Sequence, residues 1–460
     1  MMPAAKMEVA APAATKPVAL AKTLNLKDLT LLVVGSVIGS GIFLVPGAVQ
    51  RQVGGSVQLT LLVWIVGGVL SLLGALTYGE LAAMKPAAGG LYVYIRDGFG
   101  ELPAFLYGWT LFLVISTGSI ATLAVAFSAY LGQLLPLSPF ELKVTSIAMI
   151  GLVTAVNIRG TRQGSDLQNW TTFIKLGLIL IMSAVLLWFG RGFRGPGANL
   201  WSAPAHGALL SGFGLAMVAV LWAYEGWQYI AYSAGEAVHP QHDFPLAFLY
   251  GTSSLIAVYV IAALSYIVAL GPAAAAQSDT IAATAMHAVF GSTAAKFVAL
   301  MILISTFGST NSIQLTAPRV FFAMAQDGLF FRKLAEVHPK FRTPAFAILT
   351  AGIWAAFLAC LGSFQQLFTY VVFTGWIFYG LAGASIFMYR RRAPEAVRPY
   401  RVPGYPVTPA IFVLAASAIV LNTIVSGPQG AAEGLGILAL GLPVYFIWRF
   451  RSPARAASRG

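Results

Sequence analysis

The sequence predicts an all-α, polytopic membrane protein of about twelve transmembrane helices, and three observations predict it. Only 9% of its 460 residues are charged and 58% are hydrophobic, whereas soluble domains carry roughly 25% charged residues. The apolar residues gather into twelve stretches, roughly 29–49, 57–83, 102–134, 142–158, 167–189, 208–234, 246–270, 294–325, 344–361, 366–389, 407–425 and 432–449, each near or above the roughly 20 residues that cross a bilayer as a helix. Runs of this length are helical, because the strands of membrane barrels are about 10 residues long and alternate in polarity. Bilayer is therefore one partner of the chain.

Residues 1–27 are rich in Ala, Pro and Lys, hold no apolar core of signal-peptide length, and read as a cytoplasmic tail. Span one is interrupted: Val37-Ile38-Gly39-Ser40-Gly41-Ile42 puts glycine and a hydroxyl at mid-membrane. Gly35 and Gly39 also form a small-xxx-small pattern, whose ordinary meaning is close helix packing. In span two Glu80, like Arg319 in span eight, lies near a cytoplasmic end and suits snorkelling or structural pairing. The sequon Asn169-Trp170-Thr171 opens span five on the cytoplasmic side and reads as a chance match. Lys175 lies a few turns into the same span, either snorkelling or holding a buried coupling role. Desolvation makes a buried lysine easier to deprotonate, so it would bind and release a proton, or stand as a fixed cation where other carriers hold sodium.

Span six carries the second irregularity, Trp222-Ala223-Tyr224-Glu225-Gly226-Trp227, five spans after the first. Taken alone, an aromatic helix with one glycine is ordinary core. The segment 271–292 contains a helix-like run from Ile281 to Phe290 ended by Gly291, a short external helix. Cys360, the only cysteine, sits in span nine and excludes an internal disulfide or a cysteine metal site. The domain reading is a tail at 1–27, a first five-helix repeat at 28–190, a second at 207–390, helices eleven and twelve at 406–450, and a tail at 451–460.

A net charge of +13 would suit nucleic acid, but its distribution does not. With the N-terminus in the cytoplasm, only Arg51, Lys143, Arg191, Arg194 and Lys296 fall outside, while Lys175 and Arg319 lie within spans and every other Lys and Arg is inside. This asymmetry is the positive-inside rule. It predicts a multi-pass plasma membrane protein with both termini cytoplasmic and no nucleic-acid partner.

Lipid cannot satisfy backbone groups freed at a helix break, so such breaks persist only when buried in protein or lining a cavity. Two interrupted spans in matching positions of two halves mark a transporter site. Each break offers free N–H groups from one half-helix, which favour an anion, and free C=O groups from the other, which favour a cation. An amino acid zwitterion needs both. The amides of Ser40 and Gly41 with the Ser40 hydroxyl would take its carboxylate, and carbonyls at Val37, Trp222 and Glu225 its ammonium. Ile38, Gly39, Tyr224 and Gly226 complete the expected substrate site, Trp227 stands beside it, and Trp222 is the preferred gate. Glu225 is open to three readings: a proton site, a partner for a cationic substrate such as a cationic amino acid or polyamine, or a hydrogen-bonding brace. Spans three, eight and ten would shape the side-chain pocket.

The sequence has no Gly-Lys-Ser/Thr phosphate loop, which argues against ATP-driven pumping. His206, His239, His242, His287 and His338 fall in loops or short external segments. The ligand-like spacing of His239, His242 and Asp243 therefore reads as solvated loop. No metal, no cofactor and no enzyme activity are expected. A passive channel for small polar solutes is the alternative, but it would want rings of charge or carbonyl filters.

Five stretches resemble a known family: Gly35 through Phe43, Tyr78-Gly-Glu-Leu81 with Pro86 through Tyr92, Phe173 through Leu176, Trp222 through Trp227, and Pro318-Arg319 running to Gln326-Asp-Gly-Leu329. Together they cover about 29–345 of the chain. They resemble the amino acid–polyamine–organocation superfamily, specifically the bacterial relatives of L-type amino acid transporters. The resemblance implies a LeuT-like 5+5 inverted repeat with two extra helices, alternating access and substrate held at the two breaks. It also implies that Lys175 replaces a sodium ion or carries the coupling proton. Position 225 departs from relatives with a small residue there, which puts simple neutral-substrate selectivity in doubt. Family members with a glycoprotein partner carry a cysteine after span three; the loop Leu134–Glu141 has none, so no disulfide-linked partner is expected. The expected function is secondary active transport of amino acids, by exchange or proton symport.

Overall fold

The computed structural model describes residues 19–193, 209–361, 364–426 and 428–451, so most of the two tails, Arg194 and His206 lie outside the described residues. Among the described residues the chain is helical, and its sole β element is an isolated bridge between Leu24 and Ala237. Span one is two helices, α1 (Leu26–Val37) and α2 (Gly41–Gln52), bent by 50° at the break. Asn25 caps α1 in a reciprocal pair with Asp28, satisfying first-turn donors that would otherwise be orphaned. Spans two and three are α3 (Val57–Met84) and the run α4 (Leu91–Phe99), α5 (Glu101–Thr110), a π-turn at Leu111–Ile115 and α6 (Ser116–Gly132), of which α4 lies in the connection between the two spans. Spans four and five are α7 (Pro139–Arg159), opened by a Ser138–Glu141 capping box, and α8 (Thr161–Phe189).

Span six is again divided: α9 (Leu209–Ala223) ends at Tyr224-Glu225-Gly226, and a 3-10 segment runs over Trp227–Glu236. Then follow α10 (Pro240–Leu270), the short α11 (Pro272–Gln277) and α12 (Ile281–Phe290), the short helix that the sequence predicts with Gly291 at its end. Span eight is α13 (Ser292–Thr316) continued by α14 (Pro318–Gln326), and the last spans are α15 (Ala345–Leu361), α16 (Phe364–Arg392), α17 (Val407–Ser426) and α18 (Pro428–Arg451).

Eight described helices or continuous helical runs are long and apolar enough to cross a membrane, and the bent pair α1/α2 makes a ninth. The three other apolar stretches correspond to the divided span six, to the 17-residue α15, and to α16. Burial separates the spans into layers. The apolar window of span eight is 83% buried, against 22% for α17 and α18, so span eight is the axis of the bundle and the last two spans are its rim. Exposed Leu152, Trp170, Ile181 and Trp188 give α7 and α8 an apolar outer face, as lipid contact requires. Inside, α1 packs against α8, α10 and α13, which brings span five and span eight to the first break.

Candidate functional site

At the first break the helix stops because Ile38 turns away from helical geometry (φ −71°, ψ 87°) and the Gly39 amide folds back on the Val37 carbonyl at 2.8 Å. The carbonyls this frees at the end of α1 are met by side chains from three neighbouring helices. Lys175 Nζ donates to Gly35 O at 2.5 Å and Ile38 O at 2.7 Å. Ser305 Oγ donates to Ile38 O at 2.8 Å, Ser309 Oγ to the same atom at 3.0 Å, and Tyr259 OH to Val37 O at 3.0 Å. The negative end of α1 is thus closed by a lysine that is 1% exposed. On the other side of the break, the amides of Ser40, Gly41 and Ile42 at the start of α2 donate to no backbone carbonyl among the described residues. A helix N-terminus with free amides is a ready anion site.

The second break needs its glycine. Gly226 has φ 124°, ψ −23°, and a Cβ there would lie 2.8 Å from Ser36 O. Ser36 Oγ donates to Gly226 O at 3.0 Å, and Tyr259 OH reaches Ala223 O at 3.1 Å as well as Val37 O. Two hydroxyls therefore tie the breaks together at one level. Between them is a cavity of about 80 Å³, lined on the broken helices by Val37, Gly39, Ser40, Gly41, Trp222 and Glu225. At roughly 15 Å³ per water it has room for about five waters, the scale of a small zwitterion.

A sequence model of a family described as "Amino acid permease" matches residues 24–446 of this chain. The chain belongs to the amino acid permease family. This permease is 32% identical to the serine/threonine exchanger SteT of Bacillus subtilis over 437 residues, covering 93% of this chain and 97% of that protein. It is 33% identical to the rat large neutral amino acids transporter small subunit 2 over 447 residues, covering 94% and 81%. To the human b(0,+)-type amino acid transporter 1 it is 32% identical over 448 residues, covering 94% and 89%. These relatives are named transporters and exchangers, not enzymes, and with the apolar helices they make this permease a multi-pass membrane protein.

Not every residue singled out in the sequence reaches the cavity. Ile38 is buried with its carbonyl engaged, and Gly226 supports the turn. Tyr224 is buried against Trp64, its hydroxyl 3.2 Å from Trp64 O, and Trp227 packs on Tyr78, Phe248 and Phe412. The Val37 carbonyl already accepts two bonds, from Tyr259 and Gly39. The two glycines of the small-xxx-small pattern divide: a Cβ on Gly35 would strike Gln168 and Thr172 of α8 at 2.1 Å, whereas one on Gly39 would meet Ser309 Oγ at 3.7 Å beside the cavity. Gly35 is there for close packing, and Gly39 opens space.

Sequence reading also missed residues. Ser119 and Thr122 from span three, Ser309 from span eight and Tyr229 add polar groups to the lining, and Thr122 Oγ1 is buried without a partner. Ser119 with Thr122, and Ser305 with Ser309, recur at the helical spacings i+3 and i+4, which is the signal that would have found them. Glu225 Oε1 accepts from Tyr379 OH of α16 at 2.8 Å, while its Oε2 is buried with no partner. Glu80 and Arg319 are paired: Glu80 receives Arg390 at 3.0 and 2.7 Å and the Val402 amide at 2.7 Å, and Arg319 holds Glu236 at 2.6 and 2.9 Å.

Proposed function

We propose that this permease is a secondary active transporter that carries amino acids by alternating access, as an exchanger or a proton symporter, with substrate held between the broken halves of spans one and six. The observation that carries the reading is the opposition, across one cavity, of free amides at the start of α2 and a carboxylate oxygen without a partner on Glu225. The amides of Ser40 and Gly41 take the substrate carboxylate, and the lining hydroxyls with the carbonyls of the second break take its ammonium. The names of the relatives support amino acids as the cargo. Spans one to five and six to ten act as an inverted pair in the cell membrane, with both termini cytoplasmic and spans eleven and twelve outside the repeat. With one cysteine in the chain, at position 360, the permease works without a disulfide-linked partner through the loop after span three.

Lys175 occupies the place where a bound cation would hold the break, and this supports its coupling role. Lys175→Met removes the buried cation at the C-terminal end of α1 and leaves the Gly35 and Ile38 carbonyls to the neutral hydroxyls of Ser305 and Ser309, a loss of up to about 2 kcal/mol for a charge at a partly buried helix end. Transport is expected to fall at least about tenfold, the equivalent of 1.4 kcal/mol. Uptake of labelled amino acid into proteoliposomes with and without a pH gradient reads this; undiminished, gradient-driven uptake in the variant would remove Lys175 from the mechanism.

Glu225 favours a substrate with a second cationic group, because a buried carboxylate oxygen without a donor is costly and a cation in the cavity would satisfy it. A competition panel of neutral, cationic and acidic amino acids is expected to show strong inhibition by the cationic class in the native chain. In Glu225→Gln that class should lose about tenfold in Ki relative to neutral ones, about 1.4 kcal/mol. An unchanged ranking in the variant would assign Glu225 to bracing alone.

A further inference from the structure

We propose that Tyr379 is a positioning residue that sets substrate selectivity by fixing which oxygen of Glu225 faces the cavity. This rests on the reading of Glu225 as the acceptor for a cationic group. Glu225 sits in the non-helical turn between α9 and the 3-10 segment, so no helix backbone sets the direction of its side chain. A carboxylate offers about four acceptor positions. Tyr379 OH occupies Oε1 at 2.8 Å, and Oε2 is left buried with no partner. A substrate cation entering the cavity meets a carboxylate whose orientation is already set.

Tyr379 is itself held from outside the broken helix. Tyr78 of α3 donates its hydroxyl to the Tyr379 carbonyl at 2.8 Å, and the Tyr379 ring meets Trp376 edge-on at 5.9 Å. The Tyr78 ring also rests on Trp227, one residue past Gly226, with ring centres 5.1 Å apart. The hydroxyl of Tyr379 is thus presented by a packed frame that spans α3, α16 and the far side of the same break. Preorganisation of this kind reduces what binding loses in ordering the site.

Tyr379→Phe removes one oxygen and leaves the ring. Its predicted signature is a drop in selectivity: the ratio of Ki for leucine to Ki for lysine, measured by competition in proteoliposomes, falls about tenfold, equivalent to 1.4 kcal/mol. In the Glu225→Gln background the same substitution leaves the ratio where Glu225→Gln alone put it. A general packing role for Tyr379 would change the ratio equally in both backgrounds, and that result overturns the proposal. A native ratio in Tyr379→Phe, with the ratio lost in Glu225→Gln, overturns it too while sparing the reading of Glu225. A ratio unmoved by Glu225→Gln defeats both.

Discussion

Gly41→Leu is expected to abolish amino acid transport in a protein that still inserts and elutes as a single species. A Cβ at position 41 would lie 3.1 Å from both Cα and Cβ of Ala223 and 3.3 Å from the Trp222 ring, so a larger side chain must push the two broken helices apart. Overpacking of this kind costs about 1–3 kcal/mol, tolerable for a bundle this size but directed straight at the spacing of the site. Gly39→Leu reaches the same end differently. Its Cβ meets Ser309 Oγ at 3.7 Å with Leu123 and the Val37 carbonyl at 4.0 Å, ordinary contacts, so the rest of the side chain would enter the cavity and fill the proposed substrate position without separating the helices. Transport should fall about 100-fold or more in both, equal to about 2.8 kcal/mol of lost binding. Counterflow of labelled amino acid checks it, with size-exclusion elution as the control for folding. Full activity in either variant would place the substrate elsewhere.

The largest effect on stability is expected at Arg319. Arg319 and Glu236 are both fully buried, joined through Nε and Nη2, and Thr161 at the start of α8 donates to Glu236 at 2.6 Å while accepting from Arg319 at 3.0 Å. This knot ties span five, the end of span six and α14 beside the strap where Leu24 pairs with Ala237. Arg319→Met leaves a buried carboxylate without its counter-charge, which costs about 3–5 kcal/mol. Arg319→Met with Glu236→Gln removes both charges and should recover much of that loss, because a buried pair gains little over neutral groups that pack as well. Thermal denaturation in detergent distinguishes them. If the single variant is as stable as the native chain, the pair is not holding these elements together.

Much of the fold was legible in the sequence because hydropathy is a local property. The stretch 57–83 is α3, and Ile281–Phe290 is a helix closed by Gly291, as its composition predicts. Helix α8 starts at Thr161, ahead of its apolar stretch, since a helix does not end where lipid ends: Arg162 continues it while pairing with Asp28 and Asp166. Both breaks were legible through Gly39 and Gly226 against an apolar background. Their partners were not. Ser305 bonds a carbonyl 267 residues away, and Tyr379 reaches Glu225 across 154. Glu236 lies just past the apolar stretch of span six, so nothing local marked it as the mate of Arg319. Tyr224 and Trp227 show the converse limit: a residue adjacent to a break belongs to the site only if its side chain turns toward the cavity, and these two face Trp64 and Phe412.

Because Cys360 is the only thiol, Cys360→Ala gives a background in which Ser40→Cys reports on the first break alone. The measurement is the rate at which a small water-soluble methanethiosulfonate modifies that thiol in proteoliposomes, with rising concentrations of a transported amino acid. If the substrate's carboxylate rests on the amides of Ser40 and Gly41, modification slows, half-maximally near the KM for transport. A rate indifferent to saturating substrate would contradict binding between the two breaks.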